Sequence, residues 1–89
     1  MARIVFTQNI QRHVICPETE ATGGSVREVL DNVFAANPQA RSYVLDDQAA
    51  LRRHMTIFVD GRAIRDRVRL TDFVTASSTI YVFQALSGG

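Results

Sequence analysis

Ser25-Val26-Arg27-Glu28-Val29-Leu30-Asp31-Asn32-Val33-Phe34 is the stretch whose reading decides the fold. Ser25 is followed three residues later by Glu28, the spacing at which a hydroxyl and a carboxyl can each satisfy a free N–H at a helix start. Val26, Val29, Leu30, Val33 and Phe34 then recur at i, i+3, i+4, i+7 and i+8, which makes a single apolar stripe on a helix. Asn37-Pro38 closes it, because the residue before a proline is pushed out of the helical region. A helix with one apolar face needs a partner layer.

Strands on both sides supply that layer. Upstream, Arg3 to Thr7 alternates, with Ile4 and Phe6 on one face and Val5 and Thr7 on the other. Gln8-Asn9 reads as a turn. A second strand is predicted over about Arg12 to Cys16, stopped by Pro17 and forming a hairpin with the first. Glu18 to Gly24 reads as loop. Downstream, Gln39 to Leu51 is the least regular part, with Tyr43-Val44-Leu45 read as a short docked helical turn and Asp46-Asp47-Gln48 as surface loop. Arg53 to Asp60 reads as a strand with Met55, Ile57 and Val59 on one face and Thr56 and Phe58 on the other. Asp60-Gly61 is a tight-turn signal. A short strand near Ala63-Ile64 follows, then a helical turn at Leu70-Thr71-Asp72-Phe73 with Leu70 buried. The last strand is Thr79 to Ala85, with Ile80 and Val82 facing one way and Tyr81 and Phe83 the other.

Composition narrows the function classes. Eighty-nine residues, 46% of them apolar, make one domain with a core. A net charge of +1 points neither to a basic nucleic-acid binder nor to an acidic tail. All ten basic residues are arginine, so no side-chain amine is present for an isopeptide bond. Codon usage in a GC-rich genome is the simplest source of that bias. The single cysteine, Cys16, excludes an internal disulfide. The start, Met1-Ala2-Arg3-Ile4-Val5-Phe6, lacks a signal-peptide pattern, and no apolar run approaches the roughly 20 residues of a membrane span. A cytoplasmic location is the expectation.

The order strand, strand, helix, strand, short strand, strand is the ubiquitin-like β-grasp order. The expected fold class is α+β: a mixed sheet of four to five strands with one main helix on one face. Residues 1–85 are expected to form that domain, and residues 86–89 a flexible Gly-Gly tail. Leu86-Ser87-Gly88-Gly89 can extend about 13 Å at about 3.3 Å per residue. Without Cβ atoms, the two glycines can enter a channel too narrow for other residues.

These features carry a resemblance. The β-grasp order, the strand Met55-Thr56-Ile57-Phe58-Val59-Asp60-Gly61, the strand Ile80-Tyr81-Val82-Phe83 and the terminal Gly88-Gly89 together resemble the ThiS/MoaD sulfur-carrier family. The match is best over residues 53–89, where the spacing fits the longer members, including those that serve cysteine biosynthesis. Gln84 stands where that family commonly has proline, and Ser77-Ser78 where it commonly has Gly-Asp. The resemblance implies a protein co-substrate rather than an enzyme. An E1-like adenylating enzyme would use ATP to activate the Gly89 carboxylate. A persulfide sulfur donor would convert it to a thiocarboxylate, and a sulfur-accepting synthase would consume the sulfur. No tightly bound cofactor or metal is implied. The same tail serves a rival reading, a ubiquitin-like modifier joined through Gly89 to target amines. A third is an interaction module whose glycines are incidental.

If Ile4, Phe6, Ile57, Val59, Ile80 and Val82 face the helix, then Val5, Phe58, Tyr81 and Phe83 lie on the outer sheet face as a partner-contact patch. Phe83 also matches a position where the family places an apolar contact residue. Cover by the 39–52 segment, or reversal of the inward face, would remove the patch. Six arginines fall between Arg52 and Arg69, and the alternating Arg65, Arg67 and Arg69 are read as sharing a face. That face is either plain solvated surface or a complement to an acidic partner. His13 and Cys16, three apart on the predicted strand, would point to opposite faces and form neither dyad nor metal site. His54 stands apart from both. Gly23-Gly24-Ser25 lacks the lysine and spacing of a phosphate loop and reads as a helix cap.

Overall fold

Alternation of apolar residues places the sheet's inner face. In the computed structural model, which describes residues 1–84, Ile4, Ile57, Ile80 and Val82 are all fully buried. They come from three strands, β1 (Ala2–Phe6), β3 (Met55–Val59) and β5 (Thr79–Gln84). The shorter β2 (Thr19–Ala21) and β4 (Arg62–Ala63) complete a five-stranded sheet of order β2-β1-β5-β3-β4. β5 runs parallel to β1 and antiparallel to β3, so the sheet is mixed.

The main helix is α2 (Val26–Ala35), with Val26, Val29, Leu30, Val33 and Phe34 buried as their spacing requires. They join the inner sheet face in one cluster. The helix start is built as the sequence indicates, with one difference. Ser25 Oγ accepts from the Glu28 N–H at 3.2 Å, but Glu28 Oε1 reaches back to the Gly24 N–H at 2.8 Å. Two further first-turn donors find acceptors in a distant loop: Val26 N–H donates to the Asp72 carbonyl and Arg27 N–H to the Leu70 carbonyl.

Those two bonds explain why Leu70-Thr71-Asp72-Phe73 is not the predicted helical turn. Leu70 is buried as expected, but its carbonyl is turned toward α2 and its φ is +58°. Asp66 takes the competing donors: Oδ1 accepts from the Val68 and Arg69 N–H groups, and Oδ2 from the Thr71 hydroxyl.

The second strand also lies elsewhere. The chain turns through a short helix, α1 (Gln8–Gln11), which buries Ile10, instead of a plain turn. Residues 12–16 are not a strand. Ile15 is exposed, its carbonyl accepts from Asn37 Nδ2 at 2.6 Å, and Cys16 enters the core. β2 forms only after Pro17, where Ala21 meets Ala2 across the hairpin. Asn37-Pro38 ends α2 and also starts α3 (Pro38–Val44): Asn37 Oδ1 accepts from the Ala40 N–H, and proline suits the first turn because its missing N–H is not needed there. The docked turn at Tyr43-Val44-Leu45 is thus the end of a longer helix.

The Asp60-Gly61 turn is as read: both residues have positive φ, and Val59 pairs with Arg62 across it. No helix among the described residues is long and apolar enough to cross a membrane.

Two predictions follow from these contacts. Gly23 has φ +149°, and a Cβ there would lie 2.7 Å from the Val29 backbone nitrogen. Gly23→Ala is expected to cost about 1–3 kcal/mol, read as a lowered urea midpoint. The hydrogen bonds to Asp66 lower its pKa from the ordinary 3.8 to about 2, the Thr71 hydroxyl contributing most. A depressed carboxyl stabilises the fold above the unfolded value and loses that contribution as pH falls through the folded one. The stability difference between wild type and Asp66→Asn should therefore be full above about pH 4 and shrink toward pH 2, measured by urea titration at each pH.

Candidate functional site at the end of the central strand

β5 lies between two neighbours, so Tyr81 on its outward face has a partner on either side. Tyr81 is opposite Val5 on β1 and Phe58 on β3, and Phe83 is opposite Thr56. Because Ile80 and Val82 point into the core, Tyr81 and Phe83 must point out. The rings of Phe58 and Phe83 stack at 5.3 Å, and Tyr81 meets Phe83 edge-on at 6.1 Å. Tyr81 is 41% exposed, while Val5, Phe58 and Phe83 are half-buried. The predicted inward face is therefore correct, and the four residues read as a patch do lie together. Segment 39–52 does not remove it: its buried residues Ala40, Val44, Leu45 and Leu51 belong to the core cluster.

Beside the rings is a groove of about 630 Å³, with Phe58 and Phe83 on one side and Gln8 and Arg12 on the other. Thr7 also lines it, and Thr7 Oγ1 is buried without a hydrogen-bond partner among the described residues. Nothing in the local sequence pattern marks α1 as a wall of this site, because only the single apolar residue Ile10 signals the helix.

Gln84 is the last described residue. Its Oε1 accepts from the Tyr43 hydroxyl at 2.7 Å, and Tyr43 in turn stacks on His13 at 5.6 Å. The strand end is thus tied to α3 by a residue 41 positions away in sequence, and Gln84 has a role that proline could not fill. The sequence signals neither partner. Ala85 and the tail residues Leu86, Ser87, Gly88 and Gly89 lie outside the described residues, as does the proposed boundary between domain and tail.

The arginine face is corrected. Arg65, Arg67 and Arg69 lie in a loop and do not alternate on a strand. The Arg67 guanidinium donates to the carbonyls of Arg52, Arg53 and Met55, the last at 2.6 Å, so it holds two chain segments together. Arg65 and Arg69 stay exposed. His13 and Cys16 are also not on a strand. Cys16 is buried, its thiol donates to the Val14 carbonyl at 3.5 Å, and burial pushes its pKa up. His13 and His54 are exposed. Among the described residues, no three of His, Cys, Asp and Glu are placed to hold a metal ion.

Comparison with solved structures gives close matches in shape. A chain of the Amycolatopsis orientalis BexX/CysO complex aligns over all of both chains, with a TM-score of 0.83 at 20% identity. SAMP1 from Haloferax volcanii aligns over 99% of this chain and 98% of its own, with a TM-score of 0.78 at 22% identity. Mycobacterium tuberculosis CysO aligns over 97% and 100%, with a TM-score of 0.79 at 15% identity. The chain has the ubiquitin-like β-grasp fold. No protein-family model matches the sequence, and a search of curated proteins gives no significant match. The shared fold agrees with the fold that the sequence resemblance implies.

The stacked pair is open to a direct test. In a double-mutant cycle of Phe58→Ala and Phe83→Ala, the coupling energy is expected to be about 0.5–1.5 kcal/mol from urea unfolding.

Proposed function

We propose that this chain is a sulfur-carrier protein, a co-substrate whose Gly89 carboxylate is activated and loaded by partner enzymes. The observation that carries the reading joins structure to sequence: β5 is the central strand of a β-grasp sheet, and in sequence Gly88-Gly89 follows four residues after its last residue, Gln84. Structural likeness to a chain of the Amycolatopsis orientalis BexX/CysO complex and to Mycobacterium tuberculosis CysO supports it.

The chemistry follows from the carboxylate. Resonance and hydration make it a poor electrophile. In an E1-like adenylating partner, a carboxylate oxygen of Gly89 would attack the α-phosphorus of ATP, releasing pyrophosphate and leaving an acyl-adenylate. A persulfide sulfur would then attack the carbonyl carbon and expel AMP. Cleavage of the resulting sulfur–sulfur bond by a thiol leaves the thiocarboxylate and a disulfide. A sulfur-accepting synthase in cofactor or cysteine biosynthesis would use that sulfur as its nucleophile. This chain contributes the reacting carboxyl group, side-chain-free residues beside it, and a surface for partners to grip. Val5, Phe58, Tyr81 and Phe83 supply that surface, and stacked aromatics of this kind suit a desolvated contact.

A second reading has its own support. Two structural neighbours bear the name small archaeal modifier protein 1. In that reading, Gly89 would be joined to amines of target proteins, and the activation step would be the same.

Intact-mass analysis after incubation with an adenylating partner, ATP and a persulfide donor tests the proposal. The expected gain is one oxygen-to-sulfur exchange at Gly89. Removing Gly89 should abolish it, and Phe83→Asp should slow it about tenfold or more while the tail sequence stays intact. A sulfur gain that maps to Cys16 would overturn the carrier reading. Isopeptide-linked target proteins without thiocarboxylate would favour the modifier.

A further inference from the structure

The opposite end of the sheet carries a second surface that the carrier reading leaves unused. After the Asp60-Gly61 turn the chain enters β4, which pairs with β3 on one side only and forms the sheet's edge. Asp60, Arg62, Arg65, Asp72 and Phe73 line a groove of about 590 Å³ there.

Phe73 is 76% exposed. Its position is held by the backbone on both sides: the Asp72 carbonyl accepts from the Val26 N–H, and the Val74 N–H donates to the Gly24 carbonyl. Val74 itself is buried, so the chain cannot roll Phe73 inward without expelling Val74. One exposed ring is ordinary. The charges around it are what distinguish this site. Asp60 Oδ1 accepts from the Thr79 N–H, and the two Asp72 oxygens accept from the Arg65 and Asp66 N–H groups. Both carboxylates are thus engaged by the chain's own backbone. The Arg62 and Arg65 guanidiniums are exposed and make no hydrogen bond or ion pair among the described residues, unlike Arg27 and Arg67, which are occupied by carbonyls.

We propose that this groove docks an extended acidic segment of a partner protein, with an apolar side chain against Phe73 and carboxylates on Arg62 and Arg65. Guanidinium and carboxylate fit each other as paired donors and acceptors. The open side of β4 offers backbone groups to an extended chain. A nucleic acid fits less well, because a chain of net charge +1 lacks the extended basic surface that a phosphate backbone needs. β5 spans about 13 Å from Ile80 to Gln84, so a partner held here leaves the other end of the strand free. The proposal does not depend on the carrier reading.

The test is a titration of the isotope-labelled full chain with a short synthetic peptide that alternates aspartate with leucine and phenylalanine, followed by amide shifts. Shifts are expected at Gly61, Ala63, Arg65 and Val74. The double variant R62E/R65E should weaken binding about tenfold or more. Phe73→Ser should weaken it as well. All three side chains are exposed, and circular dichroism checks that the variants fold; R62A/R65A serves if the charge reversal does not. The proposal is overturned if the peptide does not bind at millimolar concentration, if shifts centre on Tyr81 and Phe83, or if R62E/R65E binds like wild type. Tighter binding of single-stranded oligothymidylate by the same residues would overturn it too.

Discussion

The parallel ladder between β1 and β5 is the constraint on which the rest depends. It places the C-terminal strand in the middle of the sheet, between β1 and β3, and not at an edge. A central strand is hydrogen-bonded on both sides and cannot slip by one residue without turning Ile80 and Val82 out of the core. That register fixes Tyr81 and Phe83 on the open face, brings Val5 and Phe58 beside them, and sets the position of Gln84, the last described residue. The aromatic face is therefore built on the strand that precedes residues 85–89 in sequence. Tyr43 reinforces this arrangement by holding Gln84 from the helical side.

Between α2 and β5 the chain has little regular structure apart from α3 and the β3–β4 hairpin, yet its backbone groups still need partners. Charged side chains provide many of them. Asp46, Asp60, Asp66 and Asp72 each accept backbone N–H bonds, and Arg27, Arg52 and Arg67 donate to carbonyls. The planar guanidinium suits this work, since one group can reach several carbonyls at once, as Arg67 does. A lysine ammonium could not span them in the same way. Whatever genomic bias made the chain rich in arginine, part of the loop architecture now uses that geometry. The arginines left over, Arg62 and Arg65 among them, define the surface at the far end.

Phe83 and the Phe73 groove thus sit toward opposite ends of the same pair of strands, with Phe58 of the aromatic surface facing Ala63 of the groove between them. One surface is aromatic and adjoins Gln84; the other is an edge with free guanidiniums around Phe73. Their separation follows from β3 and β5 being antiparallel: the residues of β3 that face the end of β5 are Met55 and Thr56, whereas Val59 and the turn face its beginning.

Sequence by itself determined the parts of this protein that depend on local periodicity. The α2 stripe, the Ser25 cap, the inward faces of β1, β3 and β5, the Asp60-Gly61 turn and the diglycine could all be read because each signal lies within a few residues. From the strand faces alone, the grouping of Val5, Phe58, Tyr81 and Phe83 followed. Tertiary structure alone decided where β2 lies, that Leu70 to Phe73 is not helical, and that Arg67 faces inward to carbonyls instead of sharing a face with Arg65 and Arg69. It also decided that Tyr43 anchors Gln84 and that Phe73 lies among unpaired guanidiniums. The physical reason is the same each time. These outcomes depend on which distant groups meet, and a contact between residues 12 to 46 positions apart leaves no periodic trace in the chain that makes it.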